Sequence, residues 1–97
     1  MKAKIQNIQS NTNSFENPQI DVEVNYTDNV FPGGERLFIF TLPYDEYIGL
    51  DETSLDKKIT EQGIELKKVF EEHIAKNEAT ATKEVELQEF INKEITI

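Results

Sequence analysis

The chain has 97 residues, 19 of them acidic against 10 basic, and a formal net charge of −9. A length of this order holds one domain with one modest core, residues 1–97. The acidic balance repels nucleic acid and anionic membranes and leaves proteins as the favoured partners, while the absence of cysteine excludes a disulfide framework and thiolate chemistry.

No apolar core of a secretory signal follows the lysines of "MKAKIQNIQS", and no run approaches the ~18 apolar residues of a membrane span. Residues 2–9 are read as a strand in which Ala3 and Ile5 share one parity and Ile8 takes the other, a mismatch that a bulge reconciles. Residues 10–19, "SNTNSFENPQ", are dense in turn formers and lack an apolar period. Ile20, Val22, Val24 and Tyr26 then alternate with Asp21, Glu23, Asn25 and Thr27, the pattern of a strand with one wet face. Residues 36–42, "RLFIFTL", are apolar on both parities, as in a central strand or one covered on both sides by other elements or by a partner. Pro43 closes that strand, because proline cannot donate to a ladder.

The period turns helical after Leu50. Leu55, Ile59, Gly63, Leu66, Phe70 and Ile74 fall near one stripe, predicting a helix over about 52–76. Asp51 is its predicted N-cap, and Leu50 with Leu55 has the spacing of a hydrophobic staple. Gly63 inside the helix costs about 1 kcal/mol relative to alanine, and close packing on the phenylalanine-rich strand is a reason to carry it. "KNEATATKE" relaxes the period around Thr80 and Thr82, predicting a break or kink. Beyond it a short helix over about 83–92 competes with a strand through Val85 and Leu87, and "EITI" at 94–97 reads as a closing strand. The expected fold is α+β: a small antiparallel sheet of three or four strands, with one long helix and a shorter C-terminal helix packed on it.

The run Pro32-Gly33-Gly34-Glu35-Arg36 is the one stretch that invites a phosphate-loop reading. That motif requires Lys and then Ser or Thr opening a helix. Here Glu and Arg follow and a strand opens, so the glycines are read as positive-φ turn residues. Arg36 has a guanidinium suited to a partner's carboxylate, and equally to solvent or an internal pair. His73 lacks a second ligand at helical spacing, and Asp45, Glu46, Asp51, Glu52 and Asp56 lack calcium-loop spacing, the acids near the helix start being favoured by its dipole. No nucleophile, base and orienting group can be assembled around the single histidine. No catalytic, metal or cofactor-binding residue is therefore assigned. The candidate interface residues are Phe31, Arg36, Tyr44 and Tyr47, with Ile48 beside them; the aromatics either anchor a partner or fold back over the core ends.

The order of these pieces, "MKAKIQNIQ", "IDVEVNYTD", "RLFIFTLP", a charged helix and "LQEFINKEITI", resembles small proteins encoded among the tail and neck genes of bacteriophages of Gram-positive bacteria. Such relatives often close their second helix with glycine; this chain has Asn92, the other residue tolerant of a left-handed cap. The resemblance implies a non-enzymatic virion component or assembly accessory, made in the host cytoplasm and contacting other protein subunits, its own copies or a virion protein. The alternative is an acidic regulatory or inhibitory module directed at a host protein.

Overall fold

The structure is a computed structural model that describes residues 1–11 and 17–97. The turn-rich reading of residues 12–16 falls outside the described residues. Three strands form one antiparallel sheet: β1 (Lys2–Asn11), β2 (Gln19–Thr27) and β3 (Glu35–Pro43), in the order β1-β2-β3. A 3-10 turn, Pro32–Gly34, precedes β3. A four-residue helix, α1 (Tyr44–Tyr47), follows β3, and α2 (Glu52–Gln88) is a continuous helix of 37 residues. The fold is α+β, with a three-stranded sheet and one long helix.

The ladder follows from the alternation in β2. Ile20, Val22, Val24 and Tyr26 face α2 and stand opposite Leu42, Phe40, Phe38 and Arg36 of β3. On the other side Ile5 pairs with Val24 and Ile8 with Val22, and the register slips between Ile5 and Asn7. That slip is the predicted bulge: the extra residue returns Ile8 to the face of Ile5. Pro43 is the last residue of β3, as its missing N–H requires. Gly33 and Gly34 adopt φ of 73° and 81°, confirming the bend between the strands.

Two expectations are corrected. The first is the central place expected for residues 36–42: β3 is an edge strand, and β2 is central. Helix α2 covers only the Phe38–Phe40 face, so Leu37 and Ile39 emerge on the bare side of the sheet beside the polar face of β2. The second is the break near Thr80. Helix α2 runs through both threonines without interruption; the Thr80 hydroxyl donates to the Lys76 carbonyl at 2.7 Å and the Thr82 hydroxyl to the Glu78 carbonyl at 3.1 Å, so each polar side chain is satisfied within the helix. A separate helix over 83–92 is accordingly absent, and 94–97 form no strand. After Gln88 short-range turn bonds run on as far as Lys93, with Asn92 at φ 70°.

The start of α2 is as read. The Asp51 carboxylate accepts the Ser54 N–H at 2.8 Å, which holds its carboxyl below the usual range, and Leu50 and Leu55 both pack against the core. The core itself is Val22, Val24, Tyr26, Phe31, Leu42 and Ile59. Its centre is Tyr26, whose hydroxyl donates to the Ile59 carbonyl at 2.7 Å across 33 residues of chain. Gly63 lies against the same ring: a Cβ there would sit 2.8 Å from Tyr26 Cε1 and 2.9 Å from Met1 Cε. The glycine is thus required by a tyrosine of β2, not by the phenylalanines of β3. Asp28 ties the next turn of helix to the loop, accepting the Val30 N–H at 3.1 Å while Lys67 Nζ lies 3.3 Å away. The Val30 N–H, and then Lys67, hold its carboxyl below the ordinary value.

Two consequences can be measured. Gly63→Ala gains about 1 kcal/mol of helix propensity but overpacks a fixed ring, a change that typically costs about 1–3 kcal/mol. Urea unfolding should therefore show a net loss of up to about 2 kcal/mol. Burial pushes the Tyr26 phenol up to about 12 from an unfolded value near 10. Its contribution is complete below the unfolded value and is lost as pH rises through the folded one. Tyr26→Phe should lower stability by about 1 kcal/mol at neutral pH, and the gap to the parent should narrow above pH ~10 in the same assay.

Candidate functional site: three unpartnered surfaces

The four residues expected at an interface separate in the fold. Phe31 is buried to 2% exposure, its ring meeting Phe70 edge-on at 5.2 Å, so it belongs to the core. Arg36 is exposed at the start of β3 and holds its guanidinium carbon 5.6 Å from the Phe70 ring centre, a cation–π contact. His73, one turn further along α2, is tilted against the same ring at 5.9 Å. Tyr44 and Tyr47 meet edge-on at 5.6 Å in α1; Tyr47 packs toward the core and Tyr44 remains half exposed. Arg36 and Tyr44 therefore lie near opposite ends of β3 and form no common patch.

Two members of the acidic run have structural tasks. Asp51 caps α2, and Glu46 of α1 lies 3.8 Å from Lys58 of α2. Among the described residues no three His, Asp or Glu side chains converge as a metal would require. No helix among them is long and apolar enough to cross a membrane.

Among the described residues apolar side chains stand exposed singly at Ile8, Ile48 and Ile64, and also in three further places. The first is the bare side of β3, where Leu37 is 46% and Ile39 53% exposed. The second is the projecting part of α2. Phe70 is the last helical residue packed on the core, and every residue from Glu71 onward is exposed. The 18 residues from Phe70 to Gln88 carry the helix a further ~27 Å at 1.5 Å per residue. The radius of gyration, 21.3 Å, reflects this; a chain of this length folded into a sphere-like domain has about 12–13 Å. Val85, Leu87, Phe90 and Ile91 stand exposed near the far end, and Leu87 with Ile91 borders a shallow groove with Thr80, Lys83, Glu84 and Gln88. The third is the segment after Lys93, where Ile95 and Ile97 lie free of the core.

Sequence reading did not single out Leu37 and Ile39 as surface, although its finding that both parities of the strand are apolar contained the signal. The missing step was which face α2 would leave bare. Comparison with protein-family models, with characterised proteins and with solved structures yields no match to this chain.

The division between core and surface aromatics is testable by urea unfolding. Phe31→Ala should cost about 3–5 kcal/mol, as for a buried phenylalanine, whereas Tyr44→Ala and Ile39→Thr should each stay within about 0.5 kcal/mol of the parent.

Proposed function

We propose that this chain is a non-enzymatic protein that works through protein–protein contacts, as a minor component or assembly accessory of a bacteriophage tail or neck. The observation that carries the contact role is the projecting half of α2 with its exposed apolar end. A helix held about 27 Å beyond the only core in the described residues does nothing for that core's stability, and its apolar side chains gain only when a second protein covers them. The bare side of β3 adds an edge strand flanked by Leu37 and Ile39, a surface suited to strand addition. The phage assignment rests on the layout of the sequence, and places synthesis in the cytoplasm of the bacterial host.

The net charge of −9 supports a second reading, an acidic module that competes for the basic groove of a host protein. Mass spectrometry of purified particles separates the two. The virion reading expects this chain at a fixed copy number per particle. Its absence there, together with salt-sensitive retention of a basic host protein on the immobilised chain, would shift the assignment to the inhibitor.

A further inference from the structure

Residues 93–97 combine a β-branched run, Ile95-Thr96-Ile97, in polar–apolar alternation, with high exposure. Ile95 is 77% exposed and Ile97 entirely so, and the segment has no regular structure. The outer edge of β3 lacks a strand partner among the described residues. Set beside β3 in parallel register, the segment matches it position by position. Lys93 meets Glu35, Glu94 meets Arg36, Ile95 meets Leu37, Thr96 meets Phe38 and Ile97 meets Ile39. Two opposite-charge pairs and two apolar pairs result, the apolar pairs on the bare side of the sheet; directly opposed side chains share a face, and such pairs stabilise a ladder. Antiparallel pairing of Ile97 with Leu37 and Ile95 with Ile39 sets Glu94 opposite Phe40 and Lys93 opposite Thr41, and both charge pairs are lost.

The same molecule cannot make this contact while α2 is intact. The Glu35 end of β3 lies at the level of Phe70, because Arg36 sits over that ring. Gln88 is ~27 Å further along the helix, and the five residues from there to Lys93 span at most ~18 Å fully extended. Another copy must supply the strand. Helix α2 starts beyond the Pro43 end of β3 and passes its Arg36 end at Phe70, so it runs opposite to β3. A segment that continues the helix direction and lies parallel to the acceptor strand therefore requires an acceptor copy turned end for end. The acceptor's own helix then points back toward the donor, and the exchange closes on itself with two-fold symmetry.

Resting on the reading of this chain as a contact protein, we propose that it forms a reciprocal dimer in which residues 93–97 of each copy add as a fourth strand to the β3 edge of the other. The partner is a second copy, chosen by cross-strand charge and apolar complementarity. Residues 93–97 would then be strand only in the dimer.

Light scattering on a sizing column over a range of concentrations tests this with full-length chains. The parent should rise to twice the monomer mass. Ile95→Asp combined with Ile97→Asp, at positions that touch no core residue, should remain monomeric with unchanged helical circular dichroism. Each change alters both symmetry-related pairs, so Glu35→Lys and Lys93→Glu should each weaken the dimer roughly two- to thirty-fold, and their combination should restore it. That rescue separates strand pairing from association through the helix ends, which neither charge change would affect in a compensating way. A parent that stays monomeric throughout, or a dimer indifferent to the Ile95 and Ile97 changes, would overturn the proposal. Neither result bears on whether the chain is present in virus particles, so the broader contact role stands or falls separately.

Discussion

The structure depends on one close approach, α2 against β2 at Tyr26. The tyrosine ring fills the space that a side chain at position 63 would take, and its hydroxyl reaches the Ile59 carbonyl one turn earlier. A helix seated this tightly has its rotation and axial position set together, since a shift of one residue brings a Cβ into the ring. Everything else in the contact follows from that setting: Leu55, Ile59, Leu66 and Phe70 land on the valine and phenylalanine face, and Lys67 lands within 3.3 Å of Asp28.

Seating α2 on the sheet does not determine where the helix stops. Three strands offer it a face from about Leu55 to Phe70, yet its hydrogen-bonded backbone continues to Gln88. The distal half survives on local terms alone. These are good helix formers and a Lys83–Glu86 pair at 3.2 Å, with the hydroxyls of Thr80 and Thr82 satisfied on the preceding turn and adding no stability. Exposed pairs of that kind contribute little individually. An extended helical arm with apolar residues at its tip is therefore a costly thing to maintain unless another surface meets it, and this is the physical basis for reading the chain as a contact protein.

The one-helix cover has a second consequence. A single helix shields one side of a sheet, so the other side must be polar or find a partner. β2 satisfies this with Asp21, Glu23 and Asn25, whereas β3 does not, because Leu37 and Ile39 occupy the corresponding positions. An edge strand with an apolar outer side is an invitation to strand addition, which proteins usually block with charge or proline. Here the charges Glu35 and Arg36 sit at one end and Pro43 at the other, leaving the middle open.

Much of this was legible in the residues themselves. Local physics determined the period-2 alternation of β2, the bulge in β1, the positive-φ glycines before β3, the stop at Pro43 and the Asp51 cap, since each depends only on neighbours a few positions away. The α+β class followed from the same patterns. Sequence could not decide which strand is central, because two apolar parities signal either burial on both sides or an uncovered face, and only the number of covering elements distinguishes them. Nor could it place Phe31 in the core rather than at an interface, or carry α2 through the Ala79–Thr82 stretch, where weak periodicity marks the absence of packing and not the absence of helix. The tertiary structure decided those points because each is a question of what lies opposite a residue, and that is settled by the contact between Tyr26 and Gly63, 37 positions apart in the chain.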